Sequence, residues 1–423
     1  MSPAHPWTRA TRKASRPATA SRPRSRRARE PAASGLDVLV AERFRPLRGL
    51  RVGLVCNPTT VDARLRHGAD LLHGAPGVRL ALLLGPEHGI RGDAQYMAAV
   101  PEERDARTGL PAISLYGATR DSLAPRSQQL AALDALVFDI QDVGARYYTY
   151  QATMMLCMEA AAKSRLRFVV LDRPNPIGGM GVEGPRLTPG FESFCGLHDL
   201  APRHGMTVGE LAALFRVERG LDDLDLAVIE CRGWRRGMHQ RETGLPWVLP
   251  SPNMPTPETA LVYPGMCLLE GTNLSEGRGT TRPFEVFGAP WLDSDRLVDA
   301  LGELRLPGVR FRPVSFVPTF DKHAGVRCHG AELFVVERES FRPFLTGVAC
   351  VAAARRLAPE AFAWRTEAYE FVEGIPAFDL LCGSARERRA IEAGAPLADL
   401  ARSWVPEERA FARRRRQFLR YRD

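Results

Sequence analysis

The 423-residue sequence contains no window that approaches about 18 consecutive apolar residues, so a membrane-spanning helix is not expected. It also lacks, near its start, the apolar stretch of about 7 to 15 residues that a secretory signal requires. Ser25-Arg26-Arg27 is followed by Ala28-Arg-Glu-Pro31 rather than by an apolar run. The sequence therefore predicts a cytoplasmic protein, with export as the alternative if the start codon is misassigned.

Signatures of metal, redox and nucleotide chemistry are missing too. The eight cysteines form no C-x-x-C pair and the histidines form no H-E-x-x-H motif, which argues against a metal or redox site. No G-x-G-x-x-G follows the first predicted strand and no G-x-x-x-x-G-K-[ST] occurs, so nucleotide binding is not expected. The absence of G-x-S-x-G argues against a serine hydrolase. We expect no cofactor, and we interpret the cysteines as small buried apolar residues.

The net charge of +9 invites a nucleic-acid interpretation, but the excess lies at one end of the chain. Of 58 basic and 49 acidic residues, nine basic and one acidic fall in residues 1–34, which leaves 49 and 48 for the rest. This segment, rich in Arg, Ser, Pro and Ala, cannot bury enough apolar surface to fold. We predict a disordered basic tail over residues 1–35. Nucleic acid is not expected as the main partner, and binding through the tail would be an added function.

Short apolar runs alternate with helical patterns after the tail. Amphipathic stretches separate the runs, and Thr207 with Glu210 three residues later marks the start of one helix. This alternation is typical of an α/β protein whose parallel sheet is covered by helices. We predict a doubly wound parallel sheet in a domain over 36–285, and a second, smaller α+β C-terminal domain over 286–423. The runs predicted as strands of the first domain are 51–56, 78–84, 135–140, 167–171 and 224–230.

Polar motifs follow four of the predicted strands. In open α/β sheets ligands bind beyond the carboxyl ends of the strands, so these loops are expected to converge on one edge and form a site. A capped turn is the structural alternative for any single Asp or Asn among them. The motifs are Asn57-Pro-Thr-Thr60, Gly85-Pro-Glu-His-Gly-Ile-Arg-Gly92, Asp139-Ile-Gln-Asp-Val-Gly-Ala-Arg-Tyr-Tyr-Thr-Tyr150 and Asp172-Arg-Pro-Asn-Pro176.

Carboxylates, arginines and tyrosines dominate these loops, and a carbohydrate site needs that mixture. Glycosidic cleavage usually requires a carboxylic acid that protonates the leaving oxygen and a second group that manages an oxocarbenium-like centre. Glu87 is the acid candidate, because burial in its Pro-Glu-His-Gly turn could raise its pKa; a structural role in the turn is the alternative. Tyr147, Tyr148 and Tyr150 offer flat faces and hydroxyls to a sugar, or else pack in the core.

A second polar segment, residues 269–284, combines three glycines with carboxylates, hydroxyls and two arginines. Glycines let a backbone approach a ligand closely, so we interpret the segment as a lid or second wall of the cleft, with an exposed loop as the alternative. Arg146 and Arg278 could each bind a carboxylate through a bidentate fork.

Two further motifs, Pro252-Asn-Met-Pro255 and Glu270-Gly-Thr-Asn-Leu-Ser-Glu-Gly-Arg-Gly-Thr280, follow the loops at 85–92, 139–150 and 172–176. In this order the five motifs resemble the bacterial exo-β-N-acetylmuramidase family over residues 36–423. The resemblance implies a Rossmann-like α/β fold with a smaller C-terminal domain. It also implies a glycoside hydrolase that releases terminal β-1,4-linked N-acetylmuramic acid from the non-reducing end of peptidoglycan fragments in cell-wall recycling. The partners would be peptidoglycan-derived glycans and not a membrane. A non-catalytic muropeptide-binding or sensor protein is the alternative.

The same resemblance implies roles for residues in the matching motifs. Glu87 would be the general acid, and Glu270, Glu276 and Asp142 are the candidates for the second catalytic group. One of the two arginines named above would bind the lactyl carboxylate of muramic acid. The substrate-binding candidates are His88, Arg91, Gln141, Arg146, Tyr147, Tyr148, Tyr150, Asp172, Arg173, Asn175, Asn273, Arg278 and Thr280.

Overall fold

The computed structural model describes residues 31–86, 89–91, 103–117 and 119–423. Within these ranges, no helix is long and apolar enough to span a lipid bilayer. Residues 31–35 belong to the folded unit rather than to the predicted tail. Ala32 and Ser34 are buried, and the Ser34 side chain caps helix α1 (Gly35–Ala41). The folded unit therefore begins a few residues earlier than composition indicates.

The first sheet is the doubly wound parallel sheet that the sequence predicts. Its strands are β1 (Arg51–Cys56), β2 (Arg79–Gly85), β3 (Glu103–Arg104), β4 (Pro111–Ser114), β5 (Ala135–Asp139), β6 (Arg167–Leu171) and β7 (Leu226–Ile229). Their order is β3-β4-β2-β1-β5-β6-β7, and the pairs are parallel except β3 with β4. Without the short β3, this is the strand order of Rossmann folds, which reverses between β1 and β5.

Alternate residues of each strand pack into cores on opposite faces of this sheet. Leu136 and Phe138 of β5 belong to one hydrophobic cluster, while Ala135 and Val137 belong to another. Burial on both faces explains the continuous apolar runs. The capping box predicted at Thr207 is present and starts α5. The remaining helices of this part are α2 (Gly68–His73), α3 (Ser127–Leu130), α4 (Tyr150–Lys163), α5 (Val208–Glu218) and α6 (Gln240–Thr243).

The C-terminal part is built on a small antiparallel sheet, which confirms the predicted α+β class. Strands β8 (Val286–Ala289), β9 (Val309–Phe316) and β10 (Cys328–Val335) pair in the order β8-β10-β9. Polar Arg310 and His329 lie near the starts of the two longer strands and interrupt the apolar pattern there. The helices are α7 (Pro257–Met266), α8 (Ser294–Glu303), α9 (Pro343–Leu357), α10 (Ala377–Cys382), α11 (Arg386–Glu392) and α12 (Leu397–Arg415). Short 3-10 helices occur at Arg45–Leu47, Arg120–Leu123, Cys267–Gly271 and Arg416–Phe418.

Two glycines bring α7 and α9 into direct contact. A Cβ added to Gly265 would lie 1.8 Å from the carbonyl oxygen of Pro343, and one added to Gly347 would lie 2.0 Å from that of Gly265. No side chain fits at either position, so the two helices cross backbone to backbone. Because α7 runs directly into the 3-10 helix Cys267–Gly271, this crossing fixes the start of the segment that carries Glu270.

Candidate functional site

The first predicted loop is described only in part. Glu87 and His88, the predicted acid and its neighbour, lie outside the described residues. Arg91 is described, and its guanidinium donates to Asp105 (2.5 and 2.9 Å) and to Asp70 (2.9 Å). Hydrogen bonds from Arg91 hold the pKa of Asp105 well below its usual range. Arg91 therefore fastens the end of this loop to the segment around Asp105.

Arg173 and Gln141 lie near the point where the strand order reverses. Arg173 donates to both carboxylate oxygens of Asp139 (2.5 and 3.0 Å), and this pair is buried. The Gln141 amide donates to the backbone oxygens of Asp142 and Pro174. Both side chains line a cavity of only about 20 Å³. The cation and the amide of these two motifs are thus used mainly to hold neighbouring strand ends together.

Asp142 supports the loop that carries the predicted tyrosines. Its Oδ2 accepts the Gly144 N–H (2.6 Å), and the Nε2 atom of His204 lies 3.4 Å away. The His204 Nδ1 atom accepts the Met206 N–H, so in the neutral ring Nε2 carries the proton and faces Asp142. Asp142 and His204 are both buried, and Gly144 has a φ of +83°, which favours glycine. Asp142 therefore stabilises this turn through its hydrogen bond with the Gly144 N–H.

Arg146 lies inside the protein. Its side chain is fully buried and donates to the carbonyl oxygens of Pro185, Leu200 and Leu381 (2.7 to 3.1 Å). Protein carbonyls thus surround its guanidinium, and the role of Arg146 as a receptor for a substrate carboxylate stays a prediction. Arg146 ties the loop after β5 to the C-terminal part through α10.

Asp172 and Asn175 also have partners within the protein. Asp172 accepts the Gly209 N–H (2.8 Å) and the hydroxyl of Tyr421 (2.5 Å), and burial raises its pKa to about 6. The Asn175 amide donates to the backbone oxygen of Met206 (3.0 Å). Asp172 therefore holds Tyr421 next to the end of β6.

The predicted tyrosines come together in an aromatic pocket. Tyr147 and Tyr150 donate their hydroxyls to the backbone oxygens of Pro264 and Pro250, which turns one edge of each ring into the protein. Tyr148 packs edge-on against Tyr150 and Tyr263, with ring centroids 5.0 and 5.6 Å apart. The pocket is a cavity of about 60 Å³ lined by Tyr147, Tyr148, Thr149, Tyr150, Cys195, Ser251, Asn253, Met254, Tyr263, Glu270, Arg278, Phe284, Tyr369 and Glu370.

Glu270 is one of two carboxylates that line this pocket, the other being Glu370. Its side chain is 9% exposed, and it accepts hydrogen bonds from Arg278 (2.7 Å) and from the Tyr369 hydroxyl (2.8 Å). Burial by itself would raise the pKa of Glu270, but the Arg278 charge and these hydrogen bonds outweigh it, so the pKa lies below its usual value. Glu270 is therefore ionised at neutral pH.

Arg278 joins Glu270 to the other predicted carboxylate of the segment. Its Nε atom lies 3.0 Å from Glu276, whose second oxygen accepts from Lys322 (2.9 Å). The guanidinium also lies 5.2 Å from the centre of the Phe284 ring, within the range of a cation–π contact. Glu276 is 2% exposed, and Arg278 and Lys322 neutralise its charge inside the protein. These contacts make Glu276 a support for Arg278, and they leave Glu270 as the carboxylate facing the pocket.

Turns around the segment keep this arrangement in place. Gly277 and Gly279 have φ values of +80° and +74°, and the Thr280 hydroxyl donates to the Gly277 oxygen. The Asn273 side chain donates to the oxygen of Ala361 (2.8 Å) and accepts the Ala363 N–H (3.0 Å). Thr280 and Asn273 therefore brace the segment.

A larger cavity of about 360 Å³ lies beside the aromatic pocket and shares Glu270 and Arg278 with it. Several residues of this cavity are not among the predicted site residues, including Trp364, Arg365 and Lys322. These residues lie outside the predicted loops and match no local motif, so no signal in the sequence points to them. The cavity is lined by Glu270, Thr272, Asn273, Glu276, Arg278, Asp321, Lys322, Ala363, Trp364, Arg365 and Glu367.

The chemistry that Glu270 can perform follows from an ionised carboxylate beside aromatic rings. Such a group can stabilise a positive centre, but it cannot donate a proton at neutral pH. Among the described residues, no group of three His, Cys, Asp or Glu side chains could hold a metal ion. A second, protonated group is needed for acid-assisted cleavage of a bond to oxygen.

Sequence comparisons match nearly the whole folded unit. Residues 52–258 match the family model described as exo-β-N-acetylmuramidase NamZ, N-terminal, and residues 261–421 match the corresponding C-terminal model. The chain is also similar to a Bacillus subtilis (strain 168) protein named peptidoglycan β-N-acetylmuramidase NamZ. The two are 45% identical over 388 residues, which are 92% of this chain and 91% of that protein.

Two crystal structures of DUF1343 family proteins from Bacteroides fragilis NCTC 9343 are similar in fold. The first is 35% identical with a TM-score of 0.84, over 92% of this chain and 99% of the other. The second is 28% identical with a TM-score of 0.74, over 93% of this chain and 100% of the other. The likeness therefore includes both sheets and the segment between them.

Proposed function

Because the chain belongs to the exo-β-N-acetylmuramidase NamZ family, we infer that it is a glycoside hydrolase acting on peptidoglycan. We propose that it releases terminal β-1,4-linked N-acetylmuramic acid from the non-reducing end of peptidoglycan fragments. Its partners are then peptidoglycan-derived glycans.

One observation in the described residues supports this function best: Glu270 lies ionised in an aromatic pocket. Arg278 and Tyr369 hold its charge at hydrogen-bond distance, and Tyr148 and Tyr263 supply ring faces beside it. Sugar rings pack on such faces, while a fixed carboxylate stabilises the positive charge that develops at the anomeric carbon.

The two carboxyl groups of the reaction need opposite charge states. Glycosidic cleavage pairs a protonated acid, which gives its proton to the leaving oxygen, with an ionised group near the oxocarbenium-like centre. Glu270 suits the ionised role because its pKa lies below the usual value. We assign the acid role to Glu87, on the sequence motif, and we propose that Glu276 acts only by holding Arg278.

The proposal is tested with a chromogenic β-N-acetylmuramide and, in parallel, the β-N-acetylglucosaminide that lacks only the lactyl ether. Release from the muramide alone is expected. Glu270→Gln should lower kcat by about 100-fold or more, because it removes the charge but keeps the shape. Glu258→Gln on α7 is the matched control, since it removes the same charge from an exposed site.

Two results would contradict the proposal. Release from neither substrate by protein whose circular dichroism shows a folded chain would favour a muropeptide-binding or sensor protein without turnover. Equal loss of activity in Glu270→Gln and Glu258→Gln would show that the charge of the aromatic pocket has no special role.

A further inference from the structure

The larger cavity beside Glu270 contains three cations, and two of them are fully committed to protein groups. Arg278 pairs with Glu270 and Glu276. The Lys322 ammonium has three protons and three acceptors: the backbone oxygens of Leu269 and Leu274 and the Glu276 carboxylate, all within 3.0 Å. Because Arg278 and Lys322 are paired with protein groups, the third cation is the candidate for binding a negatively charged ligand.

Arg365 is the third cation. Its guanidinium carbon lies 4.8 Å from the centre of the Tyr369 ring, and its side chain is half-buried. Among the described residues, no hydrogen bond or ion pair joins this guanidinium to an acceptor. A planar guanidinium stacked on a ring is held in one orientation, and its five N–H donors match a carboxylate. Arg365 therefore has the placement and the free donors of a carboxylate receptor.

Backbone hydrogen bonds fix Arg365 next to the segment of Glu270. The Arg365 N–H donates to the Gly271 oxygen (2.9 Å), and the Asn273 N–H donates to the Ala363 oxygen (3.0 Å). Tyr369, on which Arg365 stacks, donates its own hydroxyl to Glu270. The candidate catalytic carboxylate and the uncommitted cation thus contact the same tyrosine.

Trp364 provides a flat surface in the same cavity. Its ring is half-buried and rests on Phe362 and Phe378, with centroids 4.9 and 4.7 Å apart. A tryptophan held between aromatic neighbours is a common platform for a sugar face. Two acidic residues also line the cavity: Asp321, which lies 3.8 Å from Arg278, and Glu367, which is exposed.

We propose that Arg365 binds a carboxylate of the substrate glycan, with the sugar ring that bears it on Trp364. The inference rests on the proposed function, since it names the residue by which that site distinguishes muramic acid from glucosamine. The carboxylate can come from two sources in peptidoglycan fragments: the lactyl group of an N-acetylmuramic acid without a stem peptide, or the stem peptide itself. Glu367 lines the same cavity, so its negative charge opposes the binding of either carboxylate.

Calorimetric binding of three probes tests the proposal: N-acetylmuramic acid, N-acetylglucosamine and muramyl dipeptide, in which the lactyl carboxylate is converted to an amide. Arg365→Gln should weaken the affinity for N-acetylmuramic acid by about 10- to 100-fold, which is the loss expected when a hydrogen bond to a charged group is removed. The affinity for N-acetylglucosamine should fall by less than about twofold. Arg365→Lys, which keeps the charge without the fork, should fall between. Glu367→Gln should bind N-acetylmuramic acid more tightly than wild type.

Arg296→Gln is the control, because Arg296 is exposed on α8 and does not line the cavity. If Arg365→Gln lowers the affinity for muramyl dipeptide alone, Arg365 binds a stem-peptide carboxylate. Equal binding of both acidic probes by Arg365→Gln and Arg296→Gln would overturn the proposal. If wild type neither binds nor hydrolyses any muramic acid compound, the proposed function fails instead, so the two failures are distinguishable.

Discussion

Replacing Arg278 with methionine tests whether the ion-pair network keeps Glu270 charged. In the structure, Arg278 lies 2.7 Å from Glu270 and 3.0 Å from Glu276, whose side chains are 9% and 2% exposed. Arg278→Met fills a similar volume but leaves two buried carboxylates. Lys322 then neutralises Glu276, while Glu270 keeps the hydrogen bonds from the Tyr369 hydroxyl and the Cys267 thiol but loses its cation.

The expected cost can be worked out from these contacts. Each hydrogen bond to a charged group contributes about 1.5 to 3 kcal/mol, and removal of one partner of a buried ion pair costs about 3 to 5 kcal/mol. Arg278→Met should therefore lower the free energy of unfolding by about 3 to 5 kcal/mol at neutral pH. Without the Arg278 charge, burial raises the pKa of Glu270 instead of being outweighed.

The change in pKa also gives a pH dependence of known sign. In wild type the depressed pKa of Glu270 adds stability that is present above the unfolded pKa and is lost as pH falls through the folded pKa. In Arg278→Met the raised pKa reverses this sign, so stability falls as pH rises above the unfolded value. The difference in free energy of unfolding between wild type and Arg278→Met should therefore grow from pH 5 to pH 8.

Urea denaturation followed by tryptophan fluorescence measures the effect in wild type, Arg278→Met, Glu270→Gln and the double variant. The double variant lacks both the cation and the Glu270 charge, so it should be more stable than Arg278→Met alone by at least about 1 kcal/mol. Additive losses in the double variant, or a destabilisation independent of pH, would refute the reasoning.

Three further predictions concern other residues. Glu87→Gln should lower kcat on the muramide by at least about 100-fold without lowering the melting temperature; undiminished turnover would exclude Glu87 as the acid. Burial raises the pKa of Glu183 to about 7, so its ionisation lowers stability as pH rises from the unfolded value of about 4.5. Glu183→Gln keeps an acceptor for the Leu345 N–H and should raise the melting temperature at pH 8 relative to wild type more than at pH 5; the opposite trend would contradict this. Tyr421→Phe removes the hydroxyl that donates to Asp172 and should cost about 1.5 to 3 kcal/mol in urea titrations, whereas no change would show that the chain end is not anchored there.

The sheet of the first part could be predicted because its signals are local. Strands buried on both faces read as continuous apolar runs, and the Thr207–Glu210 capping box is visible in four residues. β4 has no such signal, since it begins at Pro111 and is only partly buried. The boundary at 285 between the two predicted domains stays a prediction; the two family models meet earlier, between 258 and 261.

The site was harder to predict, because residue type does not say whether a polar group serves a ligand or the protein. Glu270 and Arg278 lie eight residues apart in one Gly-rich segment, so a motif could suggest both. Tyr369 lies 99 residues from Glu270, and only the folded chain brings the two together. Arg365 could not be predicted for the same reason, because only the folded chain brings its backbone into contact with Gly271.

Arg146 shows what the polar loops at the strand ends do in this fold. Ligands usually bind beyond these ends, yet here Arg146 holds the backbone of Leu381, and Asp172 holds Tyr421. Both partners belong to the C-terminal part, so these loop residues bind protein in place of a ligand. The carboxylate of the candidate site then comes from the segment that these contacts help to seat. A substitution at Arg146 should consequently reduce activity together with stability, whereas one at Arg365 should alter substrate affinity with the melting temperature nearly unchanged. This contrast distinguishes residues that stabilise the fold around the cleft from residues that bind the substrate.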